Sequence, residues 1–122
     1  MAKTIMVVDD SASLRQVVSI ALKGAGYDII EASDGKDGLS KLTGQKVHLI
    51  VSDVNMPNMD GITMVKEIKQ NPAYKFTPVI MLTTESQESK KMEGKAAGVK
   101  AWMVKPFKPD QMLAAVSKLV MP

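Results

Sequence analysis

Cysteine is absent from the 122 residues, which excludes disulfide staples and thiolate metal centres. Arginine occurs once, at Arg15, and aromatic residues make up only 4% of the chain. A binder of single-stranded nucleic acid interleaves stacking rings with its basic residues. The net charge of +3 therefore reads as a solvated lysine surface, with no nucleic acid as partner. No apolar run approaches the ~20 residues that cross a bilayer, and Met1-Ala2-Lys3 leads straight into a strand, leaving no room for a leader. The expectation is a cytoplasmic protein that engages no membrane. Linkers, repeats and low-complexity tracts are also missing, so residues 1–122 read as one domain with no DNA-binding effector attached.

What is present is a regular alternation. Five short aliphatic runs recur at Thr4–Val8, Asp28–Ala32, Val47–Ser52, Pro78–Thr83 and Lys100–Val104. Helical periodicity fills the intervals. The first helix places Leu14, Val17, Val18, Ala21 and Leu22 on one face, with Ser11 or Ser13 as cap and Gly24 or Gly26 as stop. The others are expected near Lys36–Leu42, Gly61–Gln70, Glu88–Ala97 and Asp110–Leu119, the fourth having the poorest apolar face. Strict alternation with apolar strands predicts an α/β fold: a flavodoxin-like, doubly wound, five-stranded parallel sheet of order 2-1-3-4-5 with five helices.

In such a sheet, ligands bind beyond the carboxyl ends of the strands. Four residue groups fall there: Asp9-Asp10, Asp53, Thr83-Thr84 and Lys105. Carboxylates brought together at ~4 Å repel by about 4 kcal/mol per pair at an effective dielectric of 20. A hard divalent cation removes that penalty, and oxygen ligands with water positions left open favour magnesium. A phosphoryl group entering the site would meet the cation and Lys105, accept a hydrogen bond from the Thr83 hydroxyl, and lie open to attack by a carboxylate. Asp53 is the best nucleophile, being central and followed by a turn-rich loop, which leaves Asp9 and Asp10 as metal groups.

Four stretches carry a resemblance: Val7-Val8-Asp9-Asp10-Ser11, Asp53-Val54-Asn55-Met56-Pro57-Asn58-Met59-Asp60-Gly61, Met81-Leu82-Thr83-Thr84-Glu85 and Val104-Lys105-Pro106-Phe107. In this order and spacing the whole chain resembles the receiver domain of two-component response regulators, and the Asp53–Gly61 stretch resembles the chemotaxis type. The resemblance implies phosphorylation of Asp53 by a sensor histidine kinase. It implies magnesium held by Asp10, Asp53 and the Asn55 backbone carbonyl, with Asp9 acting through water. It further implies a cis peptide at Lys105-Pro106, phosphoryl contacts from Thr83 and Lys105, and a switch in which Thr83 and an aromatic three residues before the lysine move together.

That aromatic is Trp102, where the family usually has tyrosine or phenylalanine; a larger ring must be housed and no phenolic hydroxyl is offered to a partner. Asn55 and Glu85 flank the path of the attacking water in the family and imply a short-lived phosphoryl group. The implied output face is the fourth helix, fifth strand and fifth helix, carrying Lys90, Lys91, Lys95, Trp102 and Lys118. Seven of the sixteen basic residues lie between Lys90 and Lys118, against only Glu93 and Asp110, which suits an acidic or amphipathic partner. For the chemotaxis type that partner is the flagellar motor switch protein; a phosphatase is a further partner, and a monomer is expected.

Two other roles use the same residues. A phosphorelay intermediate or phosphate sink needs identical chemistry on Asp53 and differs only in its partner. An aspartyl-nucleophile phosphohydrolase of the haloacid dehalogenase type uses a second aspartate two residues after the nucleophile, and this chain has Asn55 there, with no spare length for a cap. His48 is expected on the third strand as a strand-face residue, and Met92 and Met103 as adaptable contacts near the output face.

Overall fold

The computed structural model describes residues 2–83, 88–105 and 107–121, without the side chains of residues 88–90. Five strands, β1 (Thr4–Val8), β2 (Asp28–Ala32), β3 (Leu49–Asp53), β4 (Val79–Thr83) and β5 (Ala101–Val104), alternate with five helices. These are α1 (Ala12–Gly24), α2 (Gly35–Ser40), α3 (Gly61–Lys69), α4 (Glu88–Ala97) and α5 (Pro109–Leu119). All four strand pairings are parallel and the order is β2-β1-β3-β4-β5, as the alternation predicts.

Side chains alternate along each strand, so the sheet has two apolar faces. Ile5, Val7, Leu49, Val51, Ile80 and Leu82 point to one face and pack with Val18 and Leu22 of α1 and Met112 and Val116 of α5. Met6, Val8, Ile50, Val79 and Met81 point to the other and pack with Ile62, Val65 and Ile68 of α3. Capping fixes the helix entries. Ser11 accepts from the Leu14 N–H, Asp34 from Asp37 and Asp60 from Thr63, each on the residue three ahead. At the α1 exit, Gly26 takes φ +97, which only glycine adopts without cost.

Helix α4 is the least embedded, in keeping with its weak apolar face. Among its described side-chain positions only Gly94 is buried, while Met92 is 73% exposed. The indole of Trp102 lies on Gly94 so closely that a β-carbon there would sit 2.5 Å from Cζ2. The larger ring is thus housed by removing a side chain from the facing helix. Trp102 itself is half-buried.

Most element boundaries fall within one residue of the sequence reading, and the larger shifts are at the start of β3 and the end of α2. β3 starts at Leu49, not Val47, and runs through Asp53, because Leu49 is the first residue in register with β1, opposite Ile5. α2 stops at Ser40, short of Leu42, where Lys41 closes the helix and the Gln45 amide donates to its carbonyl at 2.6 Å. His48 therefore precedes β3, and its Nδ1 accepts the Thr4 N–H at 3.0 Å.

Burial pushes the His48 imidazole below its ordinary range, helped by the charges of Lys46 and Lys3. Above the unfolded value of about 6.5, both states are neutral and the group leaves stability unchanged. As pH falls below it, the unfolded chain takes up the proton first and stability drops. Urea midpoints taken between about pH 7.5 and 5.5 should fall more for the wild type than for His48→Gln; equal slopes would remove His48 as the cause.

Candidate functional site

Register and alternation together build the site. Val8 of β1 pairs with Ser52 of β3, so the next residues, Asp9 and Asp53, stand side by side. Counting by twos from the α1/α5-facing residues Val7, Val51 and Met103 puts Asp9, Asp53 and Lys105 on that same face. Lys105 follows β5, two strands from β3 and roughly 10 Å away, and its long side chain crosses the end of β4. Its Nζ lies 3.2 Å from Asp53 Oδ1 and 3.6 Å from Asp9 Oδ2. The Lys105 N–H donates to the Thr83 carbonyl at 2.6 Å, which ties the start of the lysine's reach to the end of β4.

The two strand-end acids are hardly accessible: Asp9 is 1% and Asp53 7% exposed. Asp53 Oδ1 also accepts the Val54 N–H at 2.9 Å. Asp9 Oδ1 accepts the Ser11 N–H at 2.9 Å, whereas its Oδ2 is buried without a hydrogen-bond partner. Burial, reinforced by the neighbouring Asp53 charge, pushes the Asp9 carboxyl above its ordinary range, while the Ser11 N–H and Lys105 pull the other way. Asp10 is exposed at the mouth, and one ligand atom from each of Asp9, Asp10 and Asp53 falls within 4.8 Å of the others.

That donor set fits a hard divalent cation. Three carboxylates crowd one point, one buried oxygen is unsatisfied, and a single lysine offsets part of the charge. The arrangement can hold a cation, present Asp53 to an incoming electrophile and place an ammonium against an anion.

The structure thus brings together Asp9, Asp10, Asp53 and Lys105. Thr83 is buried at the end of β4, on the opposite face parity, shared with Met81. Asn55 is exposed two residues past Asp53. Thr84, Glu85 and Pro106, with the proposed cis bond, lie outside the described residues, as does the Lys90 side chain. Lys91 and Lys95 line a groove of about 300 Å³ with Met92 and Trp102, and Lys118 lines another of about 410 Å³ beside β5.

One contributor escaped the sequence reading. Arg15 Nη1 donates to the Asp9 carbonyl at 2.6 Å while Nε pairs with Glu31 at 3.1 Å. A forked guanidinium can hold both partners at once, which an ammonium does poorly. The signal available was its solitude as the one arginine among sixteen basic residues.

Comparison with known proteins gives a consistent picture. The family described as Response regulator receiver domain matches residues 5–117. The chain is 37% identical over 119 residues to the chemotaxis protein CheY of Bacillus subtilis, covering 97% of this chain and 98% of that protein. It is 38% identical over 120 residues to the alkaline phosphatase synthesis transcriptional regulatory protein PhoP of Bacillus subtilis. That match covers 98% of this chain but 49% of PhoP, so the chain spans about half the length of that relative. Among solved structures, the chemotaxis response regulator CheY4 of Vibrio cholerae superposes with a TM-score of 0.92 at 44% identity, covering 98% of this chain and 100% of that one.

Gly61 sets how closely α3 approaches the acidic strand end. A β-carbon there would fall 2.1 Å from the Asp53 carbonyl oxygen, a backbone atom with nowhere to go. Gly61→Ala should therefore destabilise by about 3 kcal/mol, at the upper end of overpacking costs. Urea unfolding would show it as a lowered midpoint at constant slope; an unchanged midpoint would mean that the strand end yields freely.

Proposed function

The chain belongs to the response regulator receiver domain family, and from that premise we propose that it is a switch activated by phosphorylation of Asp53. The carrying observation is the Asp53 carboxylate set between Lys105 Nζ at 3.2 Å and the carboxylates of Asp9 and Asp10. In the proposed step a carboxylate oxygen of Asp53 attacks the phosphorus of a kinase phosphohistidine. The O–P bond forms as the N–P bond breaks, and the electron pair stays on the departing imidazole nitrogen. Lys105 moves its charge from the Asp53 carboxylate to the phosphoryl oxygens, and Thr83 supplies a hydroxyl to them.

Bound magnesium would supply charge neutralisation at the crowded acids and the phosphoryl oxygens. Asp10, Asp53 and the Asn55 carbonyl would hold it directly, and Asp9 through water. Asn55 and Glu85 would tune how quickly water hydrolyses the acyl phosphate. An apolar groove of about 420 Å³ lined by Leu14, Val17, Ala21, Phe107 and Met112 opens beside Lys105. Its position supports docking of a kinase's histidine-bearing helix over the acceptor.

The output reading follows from charge and exposure. Lys91, Lys95 and Lys118, with Lys90 and the Trp102 ring, would form a basic, partly apolar face on α4, β5 and α5. The near end-to-end likeness to CheY supports the flagellar motor switch as its target, in the cytoplasm, with residues 1–122 acting as one monomeric domain.

Two outcomes are expected. Incubated with a phosphorylated histidine kinase and magnesium, the wild type should take up label and Asp53→Asn should take up none; full labelling of that variant would place the acceptor elsewhere. Titrating the motor switch protein's N-terminal peptide while following Trp102 fluorescence should show tighter binding with beryllofluoride than without. Equal or absent binding in both states, with Asp53 still labelled, would leave the phosphoacceptor role standing and remove the motor as target.

A further inference from the structure

The described hydrogen bonds of Asp34 and Asn58 include none to Asp9, Asp10, Asp53 or Lys105, yet these two residues hold the loop that follows β3. That loop is pinned at its two ends. Val54 N–H donates to the Leu82 carbonyl at 3.1 Å, and Gly61 N–H returns to the Val54 carbonyl at 2.9 Å. Between these points, the described hydrogen bonds that tie it to another element both go to the start of α2. Asn58 Nδ2 donates to Asp34 Oδ2 at 2.7 Å, and the Gly35 N–H donates to the Met59 carbonyl at 3.1 Å.

The geometry is specific at each partner. Asn58 sits at φ +66, and among the described residues it is the only non-glycine with positive φ. Asparagine is one of the few side chains that tolerates this conformation. Asp34 uses both oxygens, Oδ1 on the Asp37 N–H at 2.8 Å and Oδ2 on Asn58. Those same two bonds hold its carboxyl below the ordinary range, so it is ionised when it accepts. Gly35 allows close approach: a β-carbon there would lie 2.7 Å from both Met59 Cγ and the Met59 carbonyl.

We propose that Asp34 and Asn58 form a latch that positions the 54–60 loop, and with it the Asn55 backbone carbonyl, for cation binding. The proposal rests on the reading of the acidic cluster as a magnesium site given above. A carbonyl ligand has no charge of its own to draw it to the metal, so its contribution depends on being held in place beforehand. If the latch opens and the loop spends a tenth of its time in the binding geometry, the apparent dissociation constant rises tenfold. Losses of about 10–100-fold are ordinary when groups supporting metal ligands are removed.

The test is calorimetric titration of magnesium chloride into unphosphorylated protein, with melting in chelator to confirm that each variant is folded. Asn58→Ala should weaken binding about tenfold. Asn58→Asp should also weaken it, because two carboxylates would then face each other across the latch. Simple electrostatics gives the opposite sign, since an added negative charge near the site attracts the cation. The exchanged pair Asp34→Asn/Asn58→Asp restores one donor, one acceptor and the original net charge, and it should return to within about twofold of wild type. Amide exchange at Asn55 and Met56 in metal-free protein should speed up in Asn58→Ala and recover in the exchanged pair. Wild-type affinity in Asn58→Ala, or an exchanged pair as weak as Asn58→Asp, overturns the latch while leaving the metal site intact. A wild type that binds no magnesium overturns the metal reading, and the latch with it.

Discussion

Asp9 and Asp53 are held side by side by the parallel register of β1 against β3, and their backbones cannot move apart without breaking the sheet. At this spacing two ionised carboxylates repel by a few kcal/mol at an effective dielectric of 20, and burial leaves little water to screen them. The rest of the site is arranged around that cost. Lys105 reaches across β4 to both acids, Ser11 and Val54 each give a backbone N–H, and Asp10 adds a third carboxylate at the open side. The balance is incomplete in favour of negative charge, which suits a cation, and in the proposed switch that cation is what admits an anionic phosphoryl group. Each brings what the other needs.

Much of this was legible in the chain. The five strands are short, aliphatic and separated by helical periodicity, so order and class follow from chain rules rather than from particular contacts. The acids, Thr83 and Lys105 could be placed because strand ends are recognisable. Detail failed where neighbours in space decide. Val47 and His48 continue the apolar run but fall before the register with β1 begins, and His48 serves β1 through a ring nitrogen instead. Leu42 continues the helical pattern of α2 but lies past the point where Lys41 closes it.

The supporting contacts were the least readable. Arg15 on the Asp9 carbonyl, Asn58 on Asp34 and Trp102 on Gly94 each join residues from separate elements, with no periodic signature to announce them. Local clues existed for both partners of the second contact. Ser33-Asp34-Gly35 is a helix-entry pattern, and Asn58 sits in a loop crowded with turn formers, but nothing in the sequence says that they meet. The two faces of the sheet also divide the labour. The α1/α5 side carries the acids and the lysine, while the α2–α4 side carries Thr83 and Trp102, so in the proposed switch a signal would cross from one face to the other near β4 and β5.

The seat of Trp102 on Gly94 constrains how the chain could change over time. A side chain on Gly94 would strengthen α4 as an isolated helix, since glycine costs about 1 kcal/mol against alanine, yet it would collide with the indole. The order of substitution therefore matters. Shrinking the ring first leaves a passable intermediate with a small void, whereas adding the β-carbon first passes through a clash. A side chain at position 94 is accommodated most readily once the ring at position 102 has shrunk or turned aside.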